Sequence, residues 1–294
     1  MTPASPIEEI NHLLRQWLRS RLPARGNEWL DGKLRQLAAD PSDRNLLLAF
    51  GAVPRFTGKE PLHLTDAERG GADRLREGWN PAAWTADQAA RILLLLSVPA
   101  DHPDRYLRTL DGLFGAAEVG ELTALYLSLP LLPHPELHRS RAAEGFRTNM
   151  NVVFNAIALD NPYPAEYLDE AAWNQMVLKA IFIGSPLHRI YGLDKRANLA
   201  LAGTLLDFAH ERWAAKRPVP FELWRCVGPF MDRTTLPDVE RVFATGTETE
   251  RQAIALACAK SRNEEIYELL KAKRPDLAER ISSGELAWDA LVQP

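Results

Sequence analysis

Apolar side chains recur along this chain at three- and four-residue steps, and runs that alternate apolar with polar residues are nearly absent. The first spacing lines one face of an α-helix and the second marks a half-buried strand, so the pattern predicts an all-α protein. Ile7, Ile10, Leu13, Leu14, Trp17 and Leu18 form one stripe, and Trp29, Leu30, Leu34 and Leu37 another. Pro41 separates these from a short helix around residues 46–50. Residues 51–61 hold two prolines and two glycines among few apolar side chains, which predicts a loop and the best internal boundary. Helical periods resume over 65–77, over 85–97 behind a Thr85 cap, and over 106–114, 118–129 and 136–147. After a central stretch come 220–227, 237–244, 247–260, 264–273 and a tail carrying Trp288.

The central stretch, residues 145–216, sets polar side chains among apolar ones at helical spacing. Over 149–159, Met150, Val153, Phe154 and Ile157 share a face, while Arg147, Asn151 and Asn155 form a second, polar stripe. Over 170–183, Trp173, Met176, Val177, Ala180 and Ile181 make the buried face, with Asp169 placed to cap the start and Gly184 to end the helix. Leu178, Phe182 and Ile183 make its last turns apolar almost all round, which predicts a helix flanked on several sides. Gln175 and Lys179 are the polar pair left on it. A helix over 199–214, capped by Asn198, buries Ala202, Leu205, Leu206, Ala209 and Trp213.

Two irregular segments separate these helices. Asn161, Pro162, Tyr163 and Pro164 stop the first, because proline removes a donor and pushes the residue before it out of the α region. This linker is either a rigid corner or a mount holding Tyr163 and Tyr167 at the mouth of a cleft, where fixed phenol rings orient a small ligand. The second segment, 184–194, carries His188, Arg189 and Tyr191.

Residues 107–137 and 236–266 align without a gap, matching Leu107 with Leu236, Phe114 with Phe243, Glu121 with Glu250 and Glu136 with Glu265. Each copy reads as a helix, a turn and a second helix, the form of a HEAT-like hairpin that buries its faces by stacking on neighbours. The expected fold is therefore all-α, as stacked helical hairpins in a HEAT-like α-α superhelix, with an irregular globular helical bundle as the alternative. The expected organisation is one domain over 1–294, with 1–58 as a candidate N-terminal helical subdomain.

Composition narrows the function. At 294 residues and 46% hydrophobic, the chain is long enough to bury a sizeable core. Its 35 basic and 39 acidic residues are interspersed, with a formal charge of −4, and offer no broad cationic face for nucleic acid. Cys226 and Cys258 lie in no metal-ligand spacing and read as reduced core thiols. The N-terminal segment has acidic residues where a signal peptide needs basic ones, and no apolar window approaches the roughly 20 residues that span a bilayer. A soluble, cytoplasmic protein is expected, with peripheral membrane contact left open.

Motifs of catalysis are sparse. Asp207 and His210 share a helix face and could form an acid-base pair, although a solvated surface contact is the commoner outcome. His134 and His138 stand four apart, but Pro135 starts the helix and leaves His134 outside it as a cap, which disfavours a metal site. There is no glycine-rich nucleotide loop, no GxSxG elbow and no zincin signature, so no cofactor and no metal are expected.

The runs FNAIALDNPYPAEYLDEAAWNQMVLKAIFIGSPLHRIYGLDKRAN and DFAHERWAAKRPVPFELWRCVGPF resemble the signature region of the EboA family of metabolite traffic proteins. The resemblance is close over residues 145–230, where NPYP, AWNQMVLKA and AHERW follow one another in order. It implies membership of a multigene cluster that makes or exports a specialised small metabolite, with a cytoplasmic EboA alongside enzymes and a membrane prenyltransferase-like component. It brings no catalytic residues to carry over.

Together these lines give three expectations. Arg147, Asn151, Asn155, Asn161, Gln175, Lys179 and Arg189, if not satisfied by one another, would converge with Trp173, Tyr163 and Tyr167 on a concave pocket. Carboxamides there would read hydroxyls, and Lys179 or Arg189 would meet an anionic group, suiting a cyclitol- or sugar-like metabolite. A scaffold holding the other cluster proteins is the second expectation. The third is an enzyme acting on a cluster intermediate, with His210, Asp207 and Lys179 as its only candidate groups.

Overall fold

The computed structural model describes residues 6–292, and among these the secondary structure is helical throughout, with no strand and one isolated bridge between Pro61 and Thr85. The helices are α1 (Pro6–Arg21), α2 (Ala24–Ala39), α3 (Asp43–Thr57), α4 (Asp66–Leu75), α5 (Ala86–Leu95), α6 (Pro103–Ala116), α7 (Val119–Leu127), α8 (Arg139–Arg147), α9 (Asn151–Ala158) and α10 (Tyr163–Tyr167). They continue as α11 (Glu170–Ile183), α12 (Leu199–Ala214), α13 (Trp224–Val227), α14 (Leu236–Thr245), α15 (Glu248–Lys260), α16 (Glu264–Lys273), α17 (Pro275–Ser282) and α18 (Trp288–Leu291). They form two compact units that divide after Ala172, within the first turn of α11.

In the first unit α1, α3 and α7 pack around α5, α2 lies on α3, and α7 also packs on α9. Helix α5 is buried along every residue but Gln88. Its two charged side chains are paired: the Arg91 guanidinium donates to Asp87 at 2.6 Å, and both are almost fully enclosed. A charge in a low-dielectric core is tolerated only when paired and hydrogen-bonded, and the Thr85 hydroxyl supplies a further bond to Asp87 at 2.6 Å. Trp17, Trp79 and Trp84 fill the neighbouring core with ring centroids 5.8 and 5.6 Å apart.

The expected loop over 51–61 is corrected. Helix α3 runs on to Thr57 with Pro54 inside it, so only the last residues of that segment are irregular. The Ser42 hydroxyl caps its start by accepting from the Asn45 backbone N–H, and Gly58 ends it in the left-handed region at φ 71°. α1 and α3 lie against α5, so the helices of the first 58 residues share the core of the unit.

In the second unit α15 is the hub, packing on α13, α14, α16, α17 and α18. Its central residues, from Ala253 to Cys258, are small or aliphatic and buried. Gly228 lets the chain pass against it: a Cβ there would stand 2.8 Å from the Ala257 carbonyl oxygen. α17, expected only as part of a tail, begins with Pro275 at a position where proline's missing N–H costs nothing.

Both copies of the internal repeat are a helix, a turn and a helix, α6–α7 and α14–α15. In the second copy the two helices pack on each other. In the first, α6 lies on α3 while α7 lies between α5 and α9, and Phe114 meets Tyr126 with ring centroids 5.1 Å apart.

Candidate functional site

The linker after α9 is a built corner in the first unit. Asp160 adopts φ 54°, and its side chain accepts from the Asn80 amide at 3.2 Å. Asn161 is buried and fully engaged: its amide donates to the carbonyls of Tyr126 at 3.3 Å and Ala156 at 3.1 Å, and its oxygen accepts from the Tyr163 backbone at 3.0 Å. Tyr163 is buried too, its hydroxyl donating to the Pro135 carbonyl at 2.6 Å. Tyr167 is half-buried and stacks on Tyr163, ring centroids 4.9 Å apart. Arg147 and Asn151 are exposed on α8 and α9, while Asn155 is half-buried one turn later. Asn161 and Tyr163 thus serve the corner, and the ring left accessible there is Tyr167.

The remaining sequence candidates lie in the second unit. Trp173 is buried, with the Arg196 guanidinium 4.7 Å over its ring. Asp169 caps α11 by accepting from the Ala172 amide at 2.8 Å. Asn174 and Asn198 exchange amide bonds at 3.1 and 2.8 Å, and Asn198 also accepts from Leu201 to cap α12. Gln175 is exposed and Lys179 half-buried, and burial holds the Lys179 ammonium below the usual lysine range. Arg189 is half-buried in the short 3-10 turn Leu187–Arg189, which is pinned by Glu222 accepting from the backbones of Leu187 and His188 at 3.1 and 2.7 Å.

The end of α11 is more open than its apolar sequence implies. Phe182 is 70% exposed and Ile183 half-buried, so this helix is not enclosed on every side. Both border a groove of about 750 Å³ whose other wall includes Phe208, Glu211 and Arg212 of α12. Phe182 meets Phe208 edge to face at 5.1 Å, and Arg212 is fixed by donating from Nε to the Pro218 carbonyl at 2.8 Å. Gln175, Lys179 and Phe182 recur at helical spacing and share a stripe leading to the groove. Leu206 and Trp213, expected in the core, are half-buried. Trp213 instead borders a second hollow of about 160 Å³, with Trp224, Arg217 and Arg241. Periodicity could not have found either hollow, because both depend on how the segment after α12 turns back.

The family model for metabolite traffic protein EboA matches residues 10–228. The chain belongs to the EboA family. No curated protein and no solved structure matches it. The EboA match takes in the linker corner, the stripe on α11 and the groove, and it reaches well beyond the signature region on its N-terminal side. Helices α14 to α18, and Arg241 with them, lie after it.

Within this EboA chain the two groups of the expected acid-base pair are not each other's partners. His210 is exposed and donates from Nε2 to Asp238 of α14, 2.9 Å from both carboxylate oxygens. Asp207 is exposed on the same helix. His134 and His138 donate to the carbonyls of Ala100 and Pro133 at 2.9 and 2.8 Å, which uses one nitrogen of each ring. Among the described residues no group of three or more histidine, cysteine or acidic side chains is placed to hold a metal ion, and no helix is long and apolar enough to cross a membrane.

Proposed function

We propose that this EboA-family protein is a non-catalytic carrier that binds a small metabolite and hands it between the proteins of its gene cluster. The observation that carries the reading is the groove at the ends of α11 and α12, open to solvent and walled by the exposed Phe182. Its volume of about 750 Å³ is that of a small-molecule site. Phenyl faces beside Glu211, Arg212 and Arg217 suit a ligand with an apolar body and polar or anionic substituents. Gln175 and Lys179 extend the site along α11, so part of the sequence-derived set serves it. Arg189 is retained as a candidate contact for polar substituents and Asn161, Tyr163 and Trp173 act by shaping the fold, while Arg147, Asn151, Asn155 and Tyr167 belong to the first unit and are not assigned to this groove.

The test is to purify the full chain from cells that express its gene cluster and to analyse it by native mass spectrometry. A small molecule bound at about one equivalent, and lost in Phe182→Ser, is the expected result. Phe182 is exposed, so this change leaves the fold intact. An unliganded wild type that brings down other cluster proteins would replace the carrier with a scaffold, and turnover of the bound molecule would replace it with an enzyme.

A further inference from the structure

The smaller hollow beside the groove has a chemistry of its own. The guanidinium carbon of Arg241 stands over the Trp213 ring, 4.7 Å from its centroid, and the Trp213 and Trp224 ring centroids are 6.1 Å apart. The cation–π attraction favours keeping the guanidinium over the indole, at the hollow that both residues line. Arg217, on the segment after α12, approaches the same hollow of about 160 Å³. Neither arginine forms an ion pair among the described residues, in contrast to Arg225, which is held by Asp194 at 2.6 Å.

Two acids near this hollow are engaged elsewhere. Glu250, on the wall of the hollow, caps α15: it accepts from the Thr247 backbone at 2.7 Å and from its hydroxyl at 2.9 Å. Asp238 is taken by His210, whose ring lies 5.8 Å from Trp213. Two uncompensated guanidinium forks, brought by different elements to one concavity, fit a tetrahedral dianion with several acceptor oxygens better than a flat carboxylate that a single fork would satisfy. Arg217 also borders the groove, so the two hollows share a wall.

We propose that Arg217 and Arg241 bind the phosphate of a phosphorylated metabolite whose apolar body lies in the groove beside Phe182 and Phe208. This rests on the reading of the groove as the metabolite site, and it names the class of ligand. Because Arg241 lies beyond the family-matched segment, the phosphate site is assembled partly from residues that the family model does not cover.

The experiment is titration calorimetry of the full chain with phenyl phosphate, phenol and inorganic phosphate. Phenyl phosphate binds most tightly, and Arg217→Gln and Arg241→Gln each weaken it about 10-fold, the loss expected for a charge-assisted bond. Arg241→Lys, which keeps the charge but not the fork, recovers only part of the affinity. Equal affinity in the wild type and both glutamine variants, or no binding of phenyl phosphate, overturns the phosphate site. So does inorganic phosphate binding as tightly as phenyl phosphate, which would make the hollow a free-anion site. If the phosphate site falls in this way while Phe182→Ser still sheds the co-purified metabolite, the carrier reading stands. If the arginine effects are found while Phe182→Ser keeps the metabolite, the groove reading falls and the phosphate site stands alone.

Discussion

The Nε of Arg91 donates to the carbonyl oxygen of Phe50 at 3.2 Å, and Phe50 is the residue whose carbonyl Pro54 leaves without a helical partner. A proline inside a helix forfeits the bond to the residue four positions earlier, and here a buried guanidinium from α5 makes good that loss while also neutralising Asp87. Removing Arg91 therefore strands a carboxylate and a carbonyl together. Arg91→Ala is expected to destabilise the protein by about 3 to 5 kcal/mol in urea denaturation. Pro54→Ala should then help more in the Arg91→Ala background than in the wild type, because it restores the missing donor. Strict additivity of the two changes would show that the arginine and the proline are not linked.

This pair also shows where sequence reading ended. The helical spacing gave nearly all of the helices, and capping residues such as Asp169 and Asn198 do in the structure what their positions implied. The segment 51–61 was misread because its proline and glycines are local signals, while the arginine that satisfies Phe50 lies 41 residues away. The candidate site was legible as a stretch, not as a geometry. An asparagine among apolar residues looks the same whether it faces a ligand or, like Asn161, three backbone groups. Phe182 was misplaced for the converse reason, since an apolar side chain reads as buried until the neighbouring element is known to leave it open.

Asn161→Ala should cost about 2 to 4 kcal/mol, because two carbonyls and one amide lose their partner in a buried corner. Metabolite binding per folded molecule should be unchanged. Thermal denaturation together with native mass spectrometry separates the two quantities, and a stable variant that had lost its ligand would return Asn161 to the binding set.

Burial lowers the pKa of His138, whose imidazole is enclosed and donates to Pro133. The unfolded chain then takes up a proton that the folded protein refuses, so stability is full above the ordinary histidine value of about 6.5 and declines as pH falls below it toward the lowered value. His138→Gln, which keeps a donor but does not titrate, should flatten this part of the profile. Melting temperatures measured between pH 7.5 and 5 provide the check, and equal slopes in the two proteins would count against the assignment.

Cys226 and Cys258 are buried free thiols whose pKa is pushed up to about 12 by burial. Thiolate is the reactive form, so both should resist alkylation at neutral pH in the folded protein and react together once it unfolds. Labelling followed by peptide mapping tests this; rapid modification of either under native conditions would contradict the packing around α13 and α15.

Gly228→Ala should destabilise by about 1 to 3 kcal/mol, since the added methyl meets the Ala257 backbone and neither chain has a flexible end to yield. An unchanged urea midpoint would mean that α15 can shift to accept it.

Helix α5 is enclosed along almost its whole length by α1, α3 and α7. Water reaches its backbone only when those three separate, so its amide protons should trade for deuterium last among the helices of the first unit, and all at one rate. That clock would time the cooperative opening of the unit, leaving faster exchange elsewhere to report local fraying.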